Sequence, residues 1–129
     1  MEKSLVLIKP DAVERNLIGS ILSIYENAGL KIVNIKMEQV SEEKAIEHYK
    51  EHEGRDYFEP LIAYIRRSPL VALILEGENA IAKIRELNGS TTNPAEGTIR
   101  HRFAISNREN SVHASDSVES AKREMAIWF

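Results

Sequence analysis

The sequence predicts an α+β fold, a ferredoxin-like split βαβ sandwich in which a four-stranded antiparallel sheet has helices packed on one face. Three observations lead there. Short apolar runs alternate along the chain with longer segments whose apolar residues recur every three or four positions. The run from Leu70 to Leu75 is apolar throughout, as a central strand demands. Gly29 and Gly89 follow two of the helical segments, where a helix ends in a left-handed residue.

Taken in order, Ser4 to Ile8 is rich in β-formers and reads as a buried strand, stopped by Lys9-Pro10 because proline cannot donate to a ladder. Beyond Asn16, an N-cap residue, Leu17, Ile18, Ile21, Leu22, Tyr25 and Ala28 recur at helical spacing up to Gly29. From Lys31 to Met37, Val33, Ile35 and Met37 alternate with Asn34 and Lys36, which predicts a strand with one covered face. Ser41 caps a helix over Glu42 to Lys50. A second begins near Tyr57, sets Phe58, Leu61, Ile62 and Ile65 on one face and stops at Ser68-Pro69.

After the central run, Glu78 to Asn88 is helical, with Ala80, Ile81, Ile84 and Leu87 inward. Ser90 to Asn110 has no sustained period and reads as a long loop, a length uncommon unless it serves a site. It leads to a short strand at His113 and a last helix from Ser117, with Val118, Ala121 and Met125 inward and Trp128-Phe129 as packing anchors.

The 129 residues predict a single domain, 1–129, and 43% hydrophobic content supplies its core. The absence of cysteine excludes disulfide frameworks, thiol nucleophiles and thiolate metal sites. No apolar run approaches a bilayer span, and Met1-Glu2-Lys3 leads into strand residues rather than a secretory leader, so a cytoplasmic protein with no membrane partner is expected. A net charge of −3 argues against a nucleic-acid-binding surface but leaves room for a small anion held by a few local cations.

The chemistry centres on Asn110-Ser111-Val112-His113-Ala114-Ser115-Asp116-Ser117, where His113 has small neighbours and lies just ahead of a helix start whose N–H groups suit a phosphate. Phosphoryl transfer requires a nucleophile and well-placed cations more than covalent machinery. A neutral imidazole nitrogen attacks phosphorus best when a carboxylate on the other nitrogen fixes the tautomer and steadies the growing positive charge. Glu124, on the helix face shared with Ser117 and Ser120, is the candidate carboxylate; Lys9, Arg85, Arg100 and Arg102 are candidate cations.

Plainer readings stand beside these. His113 can be a structural strand histidine, Lys9 a solvated strand end, Arg85 a surface partner of Glu78 or Glu86, and Ser115-Asp116-Ser117 a helix cap. His48 and His52 have the i, i+4 spacing of a zinc pair. Tyr49, however, stands where a metalloprotease glutamate belongs, and no third ligand is evident, so no protein-held metal is expected. An RNA-binding module of ferredoxin-like fold is disfavoured by the acidic balance and the lack of paired strand aromatics.

Taken together, Leu7-Ile8-Lys9-Pro10-Asp11, Thr92-Asn93-Pro94, Gly97-Thr98-Ile99-Arg100 and the His-x-Ser-Asp-Ser segment from His113 to Ser117 resemble the nucleoside diphosphate kinase family over essentially the whole chain. The resemblance implies a ping-pong exchange: a nucleoside triphosphate phosphorylates His113, and the phosphohistidine charges a different nucleoside diphosphate. It implies that Ser115 and Glu124 support the ring, and that Lys9, Tyr49, Arg85, Thr91 or Thr92, Arg100 and Asn110 contact phosphates and ribose. Tyr57 would stack on the base and Leu61 wall it. Mg2+ is implied as the cofactor, carried by the nucleotide's phosphates, and a homo-oligomer as the assembly, a hexamer with a tetramer as the alternative.

The chain departs from the pattern in a shorter loop between Asn93-Pro94 and Gly97, in the doubled Thr91-Thr92, and in His101-Arg102 where the family usually has Gly-Asp. Asn107 replaces a commonly apolar residue near the base, and Tyr57 a phenylalanine. Besides the active enzyme, a nucleotide-binding descendant without turnover fits the altered loop.

Overall fold

The computed structural model describes residues 1–129 and contains one four-stranded sheet. Its strands are β1 (Glu2–Ile8), β2 (Lys31–Glu38), β3 (Leu70–Gly77) and β4 (Val112–Ala114), in the order β2-β3-β1-β4 with every neighbouring pair antiparallel. Seven helices connect them: α1 (Pro10–Glu14), α2 (Ile18–Asn27), α3 (Glu42–His48), α4 (Phe58–Ile65), α5 (Ala80–Asn88), α6 (Ile99–Phe103) and α7 (Val118–Trp128). This is the predicted α+β, split βαβ arrangement.

The helices cover both faces, not one. From Leu5 to Ile8 of β1 the residues alternate between the faces but all four are apolar: Val6 and Ile8 enter a core with Ile21, Tyr25, Leu73 and Ile84, while Leu5 and Leu7 enter a second core with Ala45, Ile65, Ala72 and Trp128. Strands apolar on both sides need two layers of cover. Helices α1, α2, α5 and α6 supply one, and α3, α4 and α7 the other.

Two short helices escape the periodic reading because five residues make barely one turn. In α1, Pro10 occupies the first turn, where its missing N–H costs nothing, and Asp11 adds a favourable charge. In α6, inside the long loop, the Thr98 side chain accepts from the His101 N–H. Asn16 is not a cap; it takes φ 60° in the turn between α1 and α2, and Leu17 holds the cap position without a side-chain bond.

Strand β2 corrects a second expectation. Val33, Ile35 and Met37 are 39%, 45% and 55% exposed, because β2 is an edge strand reaching beyond the helices that cover its neighbour. In α7, Ala121 and Trp128 are buried as predicted, whereas Val118 is exposed and Phe129 lies at the surface under the Lys36 ammonium, 4.9 Å from its ring centroid.

Candidate active site

The end of β1 meets the start of β4: Ile8 pairs with Val112, and the Lys9 N–H donates to the Ser111 carbonyl at 2.9 Å. Lys9 Nζ donates to Asn110 Oδ1 at 2.9 Å, and Asn110 Nδ2 donates to the Asn107 carbonyl at 2.9 Å. Ser111 has φ 74°, a left-handed conformation costing a non-glycine residue about 1–2 kcal/mol. Buried Asp11 offsets that strain by accepting from the Ser111 N–H at 3.3 Å and its hydroxyl at 3.1 Å, and it also receives the Tyr64 hydroxyl and an Arg15 N–H.

Beyond this bend, Val112 and Ala114 are buried while His113 pairs with Leu7, on the sheet face covered by α3 and α7. His113 Nε2 lies 2.8 Å from Glu124 Oε1, which also accepts the Ser115 hydroxyl at 2.7 Å. A carboxylate accepts only, so Nε2 carries the ring proton and Nδ1 keeps its lone pair. The His113 side chain is 22% exposed and that of Glu124 10%: the ring can be reached while its partner is shielded.

A cleft of about 460 Å³ opens over this ring, and Lys9, Tyr49, Arg85, Thr91, Arg100, Asn110, His113 and Glu124 all line it. Ser115 is fully buried, behind Glu124. The structure separates the two threonines. Thr91 lines the cleft, whereas Thr92 turns back on Ser90, with its N–H donating to the Ser90 hydroxyl at 3.2 Å. Tyr57 and Leu61 stand outside it. Tyr57 is half-exposed with its hydroxyl 2.7 Å from His52 Nδ1 on the cleft wall, and Leu61 packs against the second core. Arg102 is exposed and stacks its guanidinium 4.8 Å from the Phe103 ring centroid, away from the cleft.

Several plainer readings give way. Lys9 is 6% exposed, and burial, then the nearby Arg100 charge, pull its ammonium down to about 8 against an opposing Asp11. Arg85 makes no ion pair with Glu78 or Glu86; its Nη1 faces the Ala114 carbonyl at 3.4 Å, and its charge is felt by Asp116 across the cleft. Ser117 does cap α7, accepting from the Ser120 N–H. Arg100 is clamped by the Gly89 carbonyl at 2.6 Å and the Val112 carbonyl at 2.7 Å, and burial holds its pKa below the usual arginine range.

Two polar atoms in this region have no partner in the chain: the Tyr49 hydroxyl and Arg100 Nε. Unsatisfied buried groups on a cleft wall are suited to a polar ligand.

Asp116, from the His113–Ser117 segment, and Ser120, from the Glu124 face of the last helix, also line the cleft, and Arg123 and Glu51 join them without having been singled out in the sequence. The i, i+3 spacing of Ser120 and Arg123 on the last helix was the available signal. His48 and His52 line it too, as neighbours of His113 and Tyr57 rather than as a zinc pair. Donor atoms of His48, His113 and Glu124 lie within 4.8 Å of one another. Two imidazoles and a carboxylate already shared by His113 and Ser115 do not suit Mg2+, which takes oxygen ligands, and Lys9, Arg85, Arg100 and Arg123 oppose any cation there.

The sequence profile of nucleoside diphosphate kinase matches residues 2–129. A nucleoside diphosphate kinase of Clostridium perfringens is 65% identical over 132 residues, covering 100% of this chain and 92% of the relative. One of Thermoanaerobacter is 50% identical over 131 residues, covering 100% and 97%. Among solved structures, the Aquifex aeolicus nucleoside diphosphate kinase superposes with a TM-score of 0.95 at 38% identity, over 99% of this chain and 94% of that one. A halophilic nucleoside diphosphate kinase from Halobacterium salinarum, in complex with CDP, gives 0.96 at 39% identity, over 99% and 87%. With a family profile spanning nearly every residue and relatives this similar over most of their lengths, the chain belongs to the nucleoside diphosphate kinase family.

Proposed function

We propose that this phosphotransferase carries a phosphoryl group from a nucleoside triphosphate to a nucleoside diphosphate on His113 Nδ1. The observation that carries this reading is the Nε2–Glu124 hydrogen bond, which leaves Nδ1 with a lone pair in a cleft lined by Lys9, Arg85, Arg100 and Arg123. The Nδ1 lone pair forms a bond to the γ-phosphorus, the bond from phosphorus to the bridging oxygen breaks, and the nucleoside diphosphate leaves with that electron pair. The ring keeps its Nε2 proton and becomes cationic, an arrangement stabilised by the Glu124 carboxylate. Ser115 holds that carboxylate in place. A terminal phosphate oxygen of a second nucleoside diphosphate then attacks phosphorus, and the P–N bond electrons return to Nδ1.

In this proposal Lys9, Arg85, Arg100 and Asn110 bind the phosphates by charge-assisted and amide hydrogen bonds, and the Tyr49 hydroxyl and Thr91 add donors. Thr92 is left to shape the loop. Tyr57 offers an aromatic face that tolerates any base, with Leu61 behind it. Mg2+, if carried on the nucleotide's phosphates, would neutralise part of their charge, while Lys9, Arg85 and Arg100 would hold the phosphates themselves. The CDP-bound relative supports nucleoside diphosphates as ligands.

The same reading assigns the chain to one catalytic domain, 1–129, acting in the cytoplasm where its substrates are. It also assigns a homo-oligomer, a hexamer with a tetramer as the alternative. The exposed Val33, Ile35 and Met37 on an open sheet edge support self-association.

Incubation with γ-labelled ATP should leave an acid-labile, base-stable label that any added nucleoside diphosphate discharges. A His113→Ala protein that labels normally would overturn the assignment.

A further inference from the structure

His48 closes α3 and lines the cleft, yet the transfer proposed above makes no use of it. It is 6% exposed, and its Nδ1 accepts the indole Nε1–H of buried Trp128 at 3.0 Å. An indole nitrogen only donates, so Nδ1 of His48 bears no proton and the ring is the Nε2–H tautomer. A doubly protonated ring would turn an N–H against the indole N–H, leaving two buried donors without an acceptor.

This neutral ring stands edge-on to His113, with centroids 4.7 Å apart and planes at 82°. His113 turns cationic when Nδ1 bonds phosphorus, because Nε2 keeps its proton. A second imidazolium at that distance would oppose the charge and compete for Glu124. Arg123 of α7, Lys9 at the end of β1, His52 beyond α3 and His113 itself already act against a proton on His48, while Glu124 is the carboxylate nearby. Burial first, then these charges, hold the His48 pKa well below the usual histidine value.

We propose that the Trp128–His48 hydrogen bond is a positioning device for phosphoryl transfer, pinning His48 as the neutral Nε2–H tautomer against the ring that must become cationic. The inference rests on the phosphohistidine reading of His113. His48 acts through His113, and Trp128, at the far end of α7, acts through His48.

The test is the pH dependence of single-turnover phosphorylation by ATP in the wild-type protein, Trp128→Phe and the double variant Trp128→Phe/His48→Gln. Losing the indole donor lets His48 take a proton, so whatever the plateau rate, the acid limb of Trp128→Phe should move up by about half a pH unit or more. Glutamine does not titrate, and the double variant should return the limb to its wild-type position. A purely structural role predicts lower rates with unmoved limbs, and that result overturns the proposal. Nitrogen-resolved NMR of the wild-type imidazoles gives a check that needs no variant to fold: a proton on His48 Nδ1 at neutral pH overturns it. Absence of wild-type labelling at His113 would sink the phosphohistidine reading, whereas labelled protein with an unmoved limb sinks only this one.

Discussion

Lys9 is a charged residue in an environment its type does not suggest, 6% exposed at the end of a strand. An ammonium buried at the end of a strand keeps its charge poorly, and at about 8 it titrates within the working range of an enzyme. Its folded pKa is depressed below the unfolded value, so the destabilisation from burying its charge is present below about pH 8 and relieved as pH rises through the window to the ordinary lysine value of 10.5. Phosphate binding runs the other way, since deprotonation removes a positive charge. In the free enzyme, kcat/KM should therefore fall on the alkaline side with an apparent pKa of about 8. Lys9→Arg, which stays charged, should remove that limb at some cost in rate. An alkaline limb unchanged by Lys9→Arg assigns the ionisation to another group.

At the scale of elements, the join between α5 and α6 holds Arg100 in place. Gly89 ends α5 at φ 87°, its carbonyl accepts from Arg100, and a Cβ there would strike the Thr98 side chain that caps α6. Gly89→Ala combines backbone strain with a clash against the cap. Gly29→Ala has nearly the same φ, 86°, with nothing within 4 Å. Denaturant unfolding should show Gly29→Ala losing about 1 kcal/mol and Gly89→Ala about 2–3 kcal/mol. Only Gly89→Ala should also raise the KM for nucleotides, by loosening Arg100. Equal losses and unchanged KM in both would remove Thr98 and Arg100 from the explanation.

Over the whole molecule, the sheet buries both faces of its centre yet leaves the β2 edge open, with three apolar side chains near solvent. Lysine on such an edge hinders edge-to-edge pairing. Ile35→Lys should lower the assembled mass measured by light scattering while leaving the monomer's fold intact by circular dichroism. A wild-type protein already running as a monomer would dispose of the assembly proposal. The other exposed network, Arg67 with Glu14 at 2.7 Å and Glu109 at 3.0 Å, ties α1 to the segment before Asn110. At the surface each such pair is worth about 0–1 kcal/mol, so it tunes that segment more than it holds the fold.

The order of the elements was written in local pattern. The helical spacing from Leu17 to Ala28, the unbroken Leu70–Leu75 run and the Ser41 and Ser117 caps act over a few residues, and each reappears in the fold. The pairing of His113 with Glu124 was legible too, because β4 and α7 adjoin in sequence. Five-residue helices have too little period to announce themselves, which hid α1 and α6. Cover on both sheet faces, the choice of Thr91 over Thr92, the exposure of Arg102 and the Trp128–His48 bond came only with tertiary structure. Local spacing sets which way a side chain points from its own element. Which element stands opposite depends on strand order and helix docking, and those are settled by burying the whole apolar surface at once.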